Sequence, residues 1–134
     1  MDTDNDPFKA RLDKRAEERN AAQYREDAER KQRNNCAVQR MQLISDALAR
    51  NECDEFSVTL SMKRGDSYEI LMKHCGSIIG SWIEQKDRSY VFFPNQQTGS
   101  ISIPYTFASK HLYQSQDFVE SAADVVDYVR THHT

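Results

Sequence analysis

Residues 78–94, reading IIGSWIEQKDRSYVFFP, most limit what this chain can fold into, because apolar side chains occupy both alternating faces of two strand-length segments. Ile78 and Trp82 share one parity, and Ile79 and Ile83 the other. Beyond the polar break at residues 85–89, Tyr90 and Phe92 oppose Val91 and Phe93. Period-two alternation without a polar face predicts a hairpin buried on both sides, which the rest of the chain must cover.

The neighbouring segments extend this hairpin into a sheet. Phe56, Val58, Leu60 and Met62 alternate with Ser57, Thr59 and Ser61, and Tyr68, Ile70 and Met72 repeat the pattern after a turn at residues 63–66. The Arg64-Gly65-Asp66 tripeptide is explained by turn chemistry. Cys75-Gly76 marks a bend into the central hairpin. After a turn at residues 95–99, Ile101, Ile103, Tyr105 and Phe107 alternate as a fifth strand, placed at an edge because Pro104 cannot donate to a ladder. Asp117 with Glu120 resembles a capping box with Asp in the cap role, Ser115 being the alternative cap, and Phe118, Ala122, Val125, Val126 and Val129 form the apolar face of a helix reaching about residue 131.

Ahead of the sheet, Asp6-Pro7 is a helix start, a carboxylate at the cap and proline at the first position. Residues 8–33 are almost all helix formers, with acid-before-base pairs such as Glu26–Arg30 at stabilising spacing. Their apolar content is thin: Phe8, Leu12 and Ala16 share a face, and Tyr24 follows alone. Past Asn34-Asn35 the pattern becomes amphipathic, with Ala37, Met41, Ile44 and Leu48, and Asn51 is the expected stop. The expected fold is therefore α+β: a long N-terminal helix, a five-stranded antiparallel meander, and a C-terminal helix packed on the sheet. Residues 1–33 form a charged helical arm and residues 34–134 a small globular domain. If the C-terminal helix covers one sheet face, the other falls to residues 36–50, a second copy or a partner.

Charge narrows the function classes. Lys plus Arg against Asp plus Glu is 11 against 10 for residues 1–51 and 7 against 11 for residues 52–134, giving +1 and −4 and the overall −3. Neither part is a polycation. Three cysteines without paired spacing and no secretory signal lead to the expectation of a reducing, cytoplasmic location, and no apolar run approaches a membrane span.

No chemistry-bearing constellation stands out. His74-Cys75 invites a nucleophile-and-base reading, but adjacent strand residues point to opposite faces, so a packed cysteine beside a surface histidine is the expectation. Cys36, Cys53, Cys75, His111 and the terminal His132-His133 lack metal-ligand spacing, and four glycines form no phosphate-cradling loop. No catalytic residue, metal or cofactor is assigned.

The layout after Gly76 is loosely similar to small sheet-plus-helix domains of phage and plasmid proteins, including the DNA-binding arms of integrases, although the acidic charge departs from such an arm. The expected function is a non-enzymatic protein-binding module, an inhibitor or adaptor of phage or mobile-element type. Its helical arm occupies a partner surface or self-associates. Phe8, Leu12 and Tyr24 are the expected anchors, with Arg15 and Arg19 as polar contacts. The rival is nucleic-acid binding through Arg11, Lys14, Arg15, Arg25, Arg30, Lys31, Arg33 and Arg40, weakened by the interleaved Asp13, Glu17, Glu18, Glu26, Asp27 and Glu29.

Overall fold

The computed structural model describes residues 6–63, 67–95 and 103–132. The turn at residues 63–66, with its Arg64-Gly65-Asp66, and Ile101 of the expected fifth strand lie largely outside them. Helix α1 spans Pro7–Arg50 as one element, running through Asn34-Asn35. Asp6 caps it, its Oδ1 accepting the Phe8 N–H at 3.0 Å and its carbonyl the Ala10 N–H at 3.0 Å. It stops where the Asn51 side chain bonds back to the Ala47 carbonyl at 2.7 Å. Glu52 then turns left-handed (φ 54), and the Cys53 N–H reaches the Leu48 carbonyl at 2.9 Å.

The chain divides into two units, Met1–Asn35 and Cys36–Thr134. In the first, none of residues 7–35 is buried; the buried residues of α1 are Ala37, Ile44 and Leu48.

In the second unit, β1 (Phe56–Lys63), β2 (Ser67–His74), β3 (Ser77–Glu84) and β4 (Tyr90–Pro94) form an antiparallel meander in the order β1-β2-β3-β4. One face stacks Leu60, Ile70, Trp82 and Phe92 in a row across the sheet, with Val58, Met72, Gly80 and Pro94 in the next. Helix α2 (Ser115–His132) adds Phe118, Ala122, Val125 and Val129 to the same cluster, and α1 adds Ala37, Ile44 and Leu48. Both helical segments thus share one face. The opposite face carries Leu71, Ile83, Val91 and Phe93 among Thr59, Ser61, Glu69 and Ser81, none of which joins that cluster.

Within the core, the Trp82 indole N–H is fully buried and donates to Ser121 Oγ at 3.0 Å. Leaving such a donor unpaired costs about 1–3 kcal/mol. Trp82 and Phe92 meet with ring centroids 4.9 Å apart, and Tyr90 meets Phe118 edge-on at 5.2 Å.

Three sequence expectations are corrected. Ile78 does not share the Trp82 face: between Met72 and Lys73 the register slips, Met72 pairing with Gly80 and Lys73 with Ile78. The extra residue, Ile79, is a bulge that turns inward and is buried, while Ile78 is only half-buried. The described sheet has four strands, not five. Pro104 is extended but lacks an N–H, and the Phe107 N–H folds back to its carbonyl at 3.3 Å, so Tyr105–Ser109 forms a short 3₁₀ turn. That turn lays Phe107 against Phe92 and Tyr128. Finally, Asp117 is not the cap of α2. It sits inside the first turn, and its carboxylate reaches back to the N–H groups of Gln114 (3.0 Å) and Tyr113 (3.2 Å), which hold its pKa below the usual range.

Gly80 is the tightest point of the sheet. A Cβ there would run into the Phe92 ring and stand 2.9 Å from the Phe93 carbonyl oxygen, whereas at Gly76 (φ 84) there is open space and only the backbone conformation demands glycine. Gly80→Ala should destabilise the protein by about 1–3 kcal/mol through overpacking. Gly76→Ala should cost about 1 kcal/mol through its left-handed backbone. Urea denaturation of both alanine variants with and without Phe92→Leu checks the cause: the smaller side chain should relieve part of the Gly80 defect and none of the Gly76 defect.

Candidate functional site

The expected partner-binding residues all lie on α1 in the first unit. Phe8, Leu12 and Tyr24 are 72%, 52% and 77% exposed. At 3.6 residues per turn, Phe8, Leu12, Arg15 and Arg19 fall within an arc of about 60°, whereas Tyr24 lies about 160° from Phe8. The helix therefore brings four of the five residues onto one stripe and sets Tyr24 on the far side. Arg40, grouped with the phosphate-binding candidates from sequence, is occupied inside the second unit. Its guanidinium lies 4.7 Å from the Phe118 ring centroid and donates to the Tyr113 carbonyl at 3.1 Å.

The second unit holds a polar cluster that sequence reading left as an isolated histidine and a turn. Ser89 Oγ is 2.5 Å from Asp87 Oδ1 and 2.9 Å from His111 Nδ1, and the Tyr113 hydroxyl donates to Asp87 Oδ2 at 2.9 Å. These are the residue types of a hydrolytic triad in the wrong order. In a triad the imidazole accepts the serine proton. Here that proton goes to the Asp87 carboxylate, so Nδ1 is the donor to Oγ, and Ser89 is completely buried. The cluster acts as a clamp. It fixes the β3–β4 turn against residues 111–113, alongside paired backbone bonds between Tyr90 and Leu112 at 2.9 and 2.8 Å. Only the Asp87-Arg88-Ser89 turn was visible locally, since His111 lies 22 residues away.

The His74-Cys75 pair reverses its expectation. Cys75 is exposed and His74 buried, and Cys75 Sγ lies 3.7 Å from His74 Nε2. The period-two rule fails because Cys75 has left the strand: it is left-handed (φ 51), as is Gly76 after it. Beside this turn, the Arg130 guanidinium is paired with Glu55 at 2.7 Å. The Glu55 carboxyl is held below its usual pKa by its own backbone N–H and then by Arg130.

A cleft of about 390 Å³ opens beside α2, with Leu48, Cys53, Val119, Ala122 and Val126 among its lining. Its rim residues Asn51 and Arg130 are already engaged, by the Ala47 carbonyl and by Glu55. Among the described residues no group of three or more His, Cys, Asp or Glu side chains is arranged to hold a metal ion, and no helix is long and apolar enough to cross a membrane.

No family model, curated protein or solved structure matches the chain. Function must be read from the residues themselves.

The clamp gives a pH prediction. The Ser89 hydroxyl and N–H, followed by the Tyr113 hydroxyl, hold the Asp87 carboxyl at about 2, and Asp87 in turn pushes the Tyr113 phenol up. A depressed carboxylate stabilises the fold above its unfolded pKa, near 3.8, and that contribution is lost as pH falls through about 2. A carboxyl-detected NMR titration should give an Asp87 midpoint near 2, moving up towards the ordinary range in Ser89→Ala. A wild-type midpoint near 4 would show that the clamp does not form in solution.

Proposed function

We propose that this protein is a non-enzymatic protein-binding module, an inhibitor or adaptor working in the cytoplasm, whose N-terminal helix occupies a surface of a partner protein. One observation carries the reading: Phe8 and Leu12 are exposed on a helical segment, residues 7–35, in which no residue is fully buried. A solvated helix with so little to bury gains most of its stability from whatever it docks against. The stripe formed by Phe8, Leu12, Arg15 and Arg19 supplies two apolar anchors followed by two guanidinium groups, the side-chain chemistry common at interface hot spots. Such a stripe suits insertion into a groove. Tyr24, on the far side, stands outside the contact.

Two considerations favour a different protein over a second copy or a nucleic acid. A parallel pairing of two arms along this stripe would set Arg15 and Arg19 against their own counterparts, and like charges at a seam repel. The acids interleaved along the arm, Asp13, Glu17, Glu18, Glu26, Asp27 and Glu29, would face the phosphates that the arginines are meant to contact.

Affinity capture from nuclease-treated extract of the source cells with tagged wild-type protein should retain a protein that Phe8→Ala/Leu12→Ala loses. The purified pair should show a loss in affinity of about 30-fold or more, the equivalent of about 2 kcal/mol. Tyr24→Ala should change affinity little. These anchors are exposed and outside the core, so circular dichroism of the variants should show the second unit intact. Unchanged retention by the double variant, or retention abolished by the nuclease, would overturn the reading.

A further inference from the structure

We propose that Cys75 is a thiol-modification site, in which His74 acts as base and the incoming group is a low-molecular-weight disulfide. The thiol is exposed, while the imidazole that faces it at 3.7 Å is buried and held against the Phe56 ring, centroids 4.8 Å apart. A base fixed by packing beside an accessible thiol is the arrangement that nucleophilic sulfur chemistry needs.

The backbone makes this placement notable. Strand β2 ends at His74 and β3 begins at Ser77, so Cys75 and Gly76 alone make the hairpin turn, at φ 51 and φ 84. Two consecutive left-handed residues favour Asn, Asp or Gly at the first position, and a cysteine there carries a steric cost that turn formation does not explain. The same left-handed conformation swings the thiol out of strand alternation and towards His74 Nε2. The Cys75 N–H, bonded to the Glu55 carbonyl at 2.7 Å, holds the turn in that position.

In the reaction, Cys75 Sγ attacks one sulfur of the disulfide as its proton passes to His74 Nε2. The new Sγ–S bond forms as the old S–S bond breaks. The departing sulfur leaves with the bonding pair as a thiolate, which takes the proton from the imidazolium. Cys75 is oxidised and the small disulfide reduced, so no further oxidant is needed.

The chain carries its own reference thiols, since Cys36 is exposed and Cys53 is buried. The full-length protein is treated with glutathione disulfide at pH 7, and each cysteine peptide is followed by mass spectrometry. Cys75 should be modified at least about tenfold faster than Cys36, and His74→Gln should remove that advantage without changing the Cys36 rate. Equal rates at Cys75 and Cys36, or a Cys75 rate untouched by His74→Gln, would overturn the proposal. Should the variant fail to fold, the pH–rate profile of Cys75 in wild-type protein decides. A profile showing an additional step in the histidine range supports the pair, and one that rises in parallel with Cys36 overturns it.

Discussion

The second unit depends on an aromatic ring resting on bare backbone. Phe92 reaches the centre of the core face because Gly80, diagonally opposite on β3, has no Cβ to hold it off. From that position Phe92 contacts Trp82 on one side and Phe107 on the other. Trp82 in turn places its indole N–H within reach of Ser121, which positions α2 on the sheet. The bulge at Ile79 belongs to the same arrangement. By slipping the β2–β3 register it adds one more apolar side chain to the core without lengthening the strand.

Around this apolar centre, polar contacts join segments that the sheet does not. Asp87, Ser89, His111 and Tyr113 hold the β3–β4 turn to the approach to α2, Arg40 links α1 to that same approach through the Tyr113 carbonyl, and Arg130 joins the end of α2 to Glu55 ahead of β1. The Arg130–Glu55 pair is partly exposed, so its energetic worth is modest. Its value is positional, since Glu55 also supplies the carbonyl that holds the Cys75 turn.

Much of this was legible in the sequence where the signal was local. Asp6-Pro7 announced the start of α1, strict alternation gave β1 and β2, and the valines of α2 marked its buried face. The misreadings share one cause, a rule of regular geometry applied where the chain is irregular. Alternation through Ile78 and Ile79 assumed an unbroken ladder, and a bulge shifts the parity. Alternation through Ile103, Tyr105 and Phe107 assumed a strand, although Pro104 already argued against a ladder and its carbonyl instead starts a turn. Opposite-facing neighbours at His74 and Cys75 assumed that both residues belonged to a strand. The His111 clamp had no local signal, because its partners meet only once the fold has formed. Of the arm, the exposure of Phe8, Leu12 and Tyr24 was legible, but helical angle separates Tyr24 from Phe8, Leu12, Arg15 and Arg19.

The meander also divides the second unit into local and non-local contacts. Each strand pairs with its sequence neighbour, so the sheet closes only short loops and its nucleation carries little entropic cost. The links from Arg40 to Tyr113 and from Arg130 to Glu55 instead span 73 and 75 residues. Contacts of such separation slow folding far more than hairpins do. The sheet is thus the local part of this unit and the helical segments packed on it the non-local part, and it is the non-local part that keeps Trp82 and Phe92 from solvent.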